Sequence, residues 1–80
     1  MSSNYRVLTR RTVLAAHYRR CQDTATSIEK VRRFGQLETL METGRATSDG
    51  RIVTLSPYLL DRLWRAFRDE LLKLKMGAIL

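Results

Sequence analysis

The chain has 80 residues, 44% of them apolar and 29% charged, the balance of one folded domain rather than of a disordered polar chain. Cys21 is the only cysteine, which excludes an intrachain disulfide, and 15 basic residues against 8 acidic ones leave a net charge of +7 that favours an anionic partner. No apolar run approaches the roughly 18 residues of a transmembrane helix. No membrane is therefore expected, and a free thiol without a signal-like apolar stretch points to the cytoplasm.

Residues 1–20 hold five arginines and no acid, so the charge excess sits mainly at the N-terminal end. Within them "NYRVLT" alternates Tyr5 and Val7 with Arg6 and Leu8, which predicts a short strand or an extended arm. From Thr9, a candidate N-cap, the period changes. Leu14, His17, Tyr18, Cys21 and Ala25 recur at steps of three and four and mark one face of a helix. Residues 23–27 form a candidate break, after which Thr26-x-x-Glu29 matches a capping box. The same residues fit inside one continuous helix, so the pattern allows two helices or one bent helix.

A helical signature runs over residues 27–43 and closes at Gly44, a natural C′ residue. Its apolar residues span a wide arc, with Ile28 and Val31 on one side, Phe34, Leu37 and Met41 about a third of a turn away, and Leu40 further round. Such a helix needs cover on two sides. A core this small supplies only about 3 to 5 kcal/mol, so the expected second cover is another copy, a homodimer built on Phe34, Leu37, Leu40 and Met41. Gly35 marks a close helix approach or a bend.

In "TSDGRIVTLS" the Asp49-Gly50 pair signals a two-residue turn. It predicts a hairpin of residues 45–48 against 51–55, with pairing of 52–55 to residues 5–8 as the other arrangement. Ser56 and Pro57 then open the last helix as N-cap and N1, and Leu60, Leu63, Trp64, Phe67, Leu71 and Leu74 form its apolar stripe. Asp61/Arg65 and Asp69/Lys73 have the favourable acid-before-base order on its other face. Leu72 and Met76 project off the stripe and, with Leu80, extend the candidate partner interface. The fold class expected is mostly α with a small β element (α+β): two helices or one bent helix, a short hairpin or two-stranded ribbon, and a C-terminal amphipathic helix, in a single small domain over residues 1–80.

Catalytic chemistry finds little support. His17 and Cys21 lie one helical turn apart but share an apolar face, and no third group orients them. One histidine and one cysteine fall short of the four ligands of a structural zinc, so no metal and no cofactor are expected. "TGRATSDG" lacks a phosphate-loop pattern. The bases are the remaining feature. Arg10 and Arg11 fall in the first turn of a helix that starts at Thr9, where the dipole disfavours cations and a bound phosphate would relieve the conflict. Arg6, Arg19, Arg20, Lys30, Arg32 and Arg33 extend a candidate nucleic-acid-binding surface. The reading is a small non-enzymatic regulatory protein that contacts nucleic-acid phosphates. The alternative is a protein-binding modulator or inhibitor, of the sort mobile elements use, docked on an acidic groove of a larger host assembly. A small enzyme is the third and poorest reading.

Overall fold

The computed structural model describes the backbone of residues 2–79 and the side chains of residues 6–74. It contains three helices and one antiparallel hairpin in the order α1 (Ser2–Thr24), α2 (Ile28–Thr43), β1 (Arg45–Ser48), β2 (Arg51–Thr54) and α3 (Pro57–Ile79). The mostly helical architecture with a small β element is the one the sequence predicts.

The N-terminal segment departs from expectation. Residues 5–8 are helical, and α1 begins at Ser2 rather than at a cap on Thr9. The alternation of Tyr5 and Val7 is too short to hold a strand that has no partner. The other strand formers pair locally across Asp49-Gly50, and a helix already nucleated further along extends backward at little cost. The side chains of Tyr5 and Met76, and Leu80 as a whole, lie outside the described residues.

The chain breaks into two helices. Ser27, in an extended conformation (φ −115°, ψ 149°), caps α2 by accepting a hydrogen bond from the Lys30 amide at 3.2 Å. The cap thus falls one residue after the Thr26-x-x-Glu29 box. Gly44 ends the helix in the left-handed region (φ 81°) and its N–H donates to the Leu40 carbonyl at 2.9 Å. Asp49 (φ 53°) and Gly50 (φ 76°) are both left-handed, the requirement of a type I′ hairpin turn. Arg45 pairs with Thr54 and Ser48 with Arg51 in the resulting register. Ser56 caps α3 by accepting from the Leu59 amide at 3.1 Å, with Pro57 as the first helical residue.

The α1 and α2 helices form an antiparallel pair, as the Gln22–Gly35 approach at one end and the Arg11–Met41 hydrogen bond at the other require. A Cβ on Gly35 would meet the amide end of Gln22 at 2.8 Å, so the close approach there is to a flexible side chain. Leu14, Tyr18, Leu40, Met41 and Leu60 are buried, with Phe34, Leu37, Val53, Leu63, Trp64 and Phe67 among the residues packed on them. The dimer face expected on α2 is therefore corrected. Leu40 and Met41 are only 4% and 1% exposed within one chain, and Phe34 and Leu37 are half-buried against the same core. The second cover of α2 is the hairpin and the start of α3.

The molecule measures 42 × 39 × 17 Å with a radius of gyration of 13.6 Å. A compact chain of this length would have about 12 Å, so material projects from the core. The projecting part includes α3 past Phe67, where Leu71, Leu72 and Leu74 are 41%, 52% and 71% exposed. The stripe that leads into the core at Leu60 outlasts its cover.

Candidate nucleic-acid interface

Because α1 starts at Ser2, Arg10 and Arg11 lie in its third turn, beyond the reach of the helix-terminus dipole. The anion-binding argument for them falls with that placement, and both have intramolecular partners. Arg10 is half-buried, its guanidinium 3.7 Å from the Asp61 carboxylate and 5.3 Å from the centre of the Trp64 ring. Asp61 is held in turn by Arg65 at 3.0 Å, the intrahelical pair expected from sequence, whereas Asp69 and Lys73 form no ion pair among the described residues. Arg11 donates through Nε to the Met41 carbonyl at 2.7 Å. That carbonyl lies in the last turn of α2, where acceptors lack intrahelical donors.

Arg19 is exposed and bridges Asp23 and Glu38, each at 3.7 Å. The other sequence-predicted bases stay in water. Arg6, Arg20, Lys30, Arg32 and Arg33 are exposed and have no ion pair among the described residues. Arg6 stands apart near the start of α1. The remaining four flank the three-residue turn between α1 and α2, each within about 8 Å of it along a helix axis. Thr26 and Ser27 at the turn are exposed hydroxyl side chains, able to donate neutral hydrogen bonds to a phosphate, whereas the Thr24 hydroxyl already donates to the Arg20 carbonyl at 3.1 Å. Ile28 lies among these groups and is 78% exposed.

His17 and Cys21 do meet, with Sγ 3.6 Å from Nε2. The imidazole packs between Tyr18 and Phe67, with ring centres at 5.4 and 4.6 Å, and its Nε2 is 4.0 Å from Glu70. Burial lowers the His17 pKa, Glu70 opposes the shift, and Arg20 adds to it. The Cys21 thiol is pushed up, first by burial and then by Glu70, with Arg20 opposing. Burial, with Cys21 and Glu70, also holds the Tyr18 phenol up at about 12. These shifts favour neutral side chains, so the cluster packs α1 on α3 and lacks an activated thiolate. Among the described residues no three His, Cys, Asp or Glu side chains are grouped to hold a metal ion, and no helix is long and apolar enough to cross a membrane.

Sequence reasoning missed the exposed hairpin bases Arg45 and Arg51, which no periodicity marks. It also missed the burial roles of Arg10 and Arg11, whose partners lie far along the chain. Comparison with protein families, with curated proteins and with solved structures returns no match for this chain.

Proposed function

We propose that this chain is a non-enzymatic binding protein that contacts nucleic-acid phosphates through the α1–α2 turn, with Arg20, Lys30, Arg32 and Arg33 as the contacting groups. The observation that supports this reading is the division among the bases. Arg10, Arg11 and Arg19 are held by Asp61, Met41 and Glu38, while the four at the turn, on one end of the helix pair, are exposed and have no ion pair among the described residues. Arginine presents a planar fork suited to phosphate oxygens, and a head without an ion pair loses none on binding.

The reading is tested by affinity for single- and double-stranded DNA and RNA across a salt series. Four phosphate contacts require a slope of log affinity on log salt of about −3 to −4 through counterion release. Salt-independent binding, or no binding at low salt, overturns it. A second reading, docking on an acidic protein groove, draws on Ile28. A water-facing isoleucine amid basic groups gains more from a protein partner than from a phosphate backbone. Weakening of phosphate binding by Arg32→Glu but not by Ile28→Ser favours the first reading, whereas capture of an acidic protein that Ile28→Ser abolishes favours the second.

A further inference from the structure

Between the end of α1, the face of α2 and the first strand of the hairpin lies an open groove lined by hydrogen-bonding side chains and no acid. We infer that it receives one unpaired nucleobase of a single strand whose phosphate lies on Arg32, an inference that rests on the phosphate reading of the turn and adds a base site to it.

The groove measures about 380 Å³, inside the range of about 300 to 1,000 Å³ typical of small-ligand clefts. Gln22 reaches it from α1, Arg32 and Gln36 from α2 and Thr47 from β1, with Val31 and Ala46 as its apolar parts. A Cβ on Gly35 would meet Nε2 of Gln22 at 2.8 Å, so the glycine gives that amide room to lie against α2. Gln22 and Gln36 are half-buried, and their amides, like the Thr47 hydroxyl, make no hydrogen bond among the described residues. No side-chain nitrogen or oxygen among the described residues is both buried and unbonded, so both amides reach solvent. Thr39, also on the lining, donates its hydroxyl to the Gly35 carbonyl at 3.0 Å.

An amide presents a donor and an acceptor side by side, the pattern that meets N6 and N7 of adenine. Two such amides and a hydroxyl, supplied by three elements, suit the edge of a base, and Val31 and Ala46 offer its ring face an apolar seat. Charge admits a nucleotide here and discourages one elsewhere. Arg32 is the one ionised side chain on this lining, and it is exposed with no ion pair among the described residues. The larger groove of about 520 Å³ between α1 and α2 includes Glu38 and Glu42, which repel a phosphate chain. A base inside a duplex is stacked on both faces and paired along one edge, so the groove takes an unpaired one.

The test compares the affinity of the full chain for a dA decamer with that for an abasic decamer carrying the same phosphates, across a salt series. The dA strand is expected to bind about tenfold tighter or more, as one bidentate base contact supplies, with equal salt slopes. Gln22→Ala/Gln36→Ala should bring the two strands within about threefold of each other and leave the affinity for the abasic strand unchanged. Gly35→Ala should also shrink the difference, since its methyl displaces the Gln22 amide, and a urea midpoint no lower than the parent's separates that loss from any loss of folding. Equal affinities of the parent for both strands, falling with salt, overturn the base site and leave the phosphate reading standing. Absence of salt-dependent binding to either strand overturns both. A preference for dA that survives both variants places the base elsewhere and overturns the inference.

Discussion

Three arginine doublets, Arg10-Arg11, Arg19-Arg20 and Arg32-Arg33, each lie in a helical stretch and have different fates in the fold. The first is tied down at both members, by Asp61 and Trp64 and by the Met41 carbonyl. The second is divided, with Arg19 on Asp23 and Glu38 and Arg20 without an ion pair among the described residues, and the third is exposed at both positions. Position relative to the other helices separates them. A guanidinium in the middle of α1 looks onto neighbouring elements, whereas one beside the α1–α2 turn looks into water. Arginine counts therefore overstate the charge available to a partner, and the turn end carries the more accessible share.

Reversing the first doublet gives the largest expected effect. Arg10→Glu/Arg11→Glu removes a charged hydrogen bond and a half-buried ion pair, and sets a second carboxylate against that of Asp61. A loss of about 2 to 3 kcal/mol is expected, a large share of the roughly 3 to 5 kcal/mol available to a chain this size. Urea denaturation followed by circular dichroism measures it. A midpoint equal to the parent's would mean that these arginines only decorate the surface. Arg32→Glu/Arg33→Glu is the converse experiment. The urea midpoint should stay put, while nucleic-acid affinity at low salt falls at least about tenfold and the salt slope becomes shallower by about 2. If instead the first doublet governs binding in variants shown to be folded, the division drawn between the two is wrong. Within the second doublet the expected contrast is smaller. Arg19 is mostly exposed, so Arg19→Ala costs about 0.5 kcal/mol or less, and Arg20→Ala acts chiefly on affinity, with only a small relief of the downward shift on His17.

Much of the fold was legible because its signals are local. Asp49-Gly50, Gly44 and Ser56-Pro57 each act through the conformation or hydrogen bonding of their own few residues, and each marks the element boundary it predicts. Residues 5–8 misled for the converse reason, since a strand needs a partner and the partner is a long-range property. The wide apolar arc of α2 was readable, but whether α3, the hairpin or another chain covers it was not. For the candidate site, the sequence marked which residues are basic. It did not show that Arg10 meets Asp61 or that Arg11 meets Met41, because those contacts arise only when α3 and the end of α2 are laid against α1.

His17 supplies the smallest predicted effect, and it tests the α1–α3 contact without touching an arginine. The imidazole sits between Tyr18 and Phe67, so transfer from water disfavours its charged form. Glu70 pulls the other way, but its carboxylate is largely solvated and 4.0 Å off, which weakens the attraction, and Arg20 opposes protonation. The folded pKa therefore lies below the ordinary value of 6.5. Between the two values the unfolded chain binds more protons than the folded one, so stability rises with pH. His17's contribution is complete above 6.5 and is lost as the pH falls through the window beneath it. The urea midpoint should be lower at about pH 5.5 than at about pH 7.5, and His17→Gln should flatten that part of the profile. Glu70→Gln should steepen it by removing the one attraction that offsets burial. A midpoint that rises on acidification, and ceases to do so in Glu70→Gln, would show instead that the ion pair outweighs burial and that α3 is held to α1 by charge.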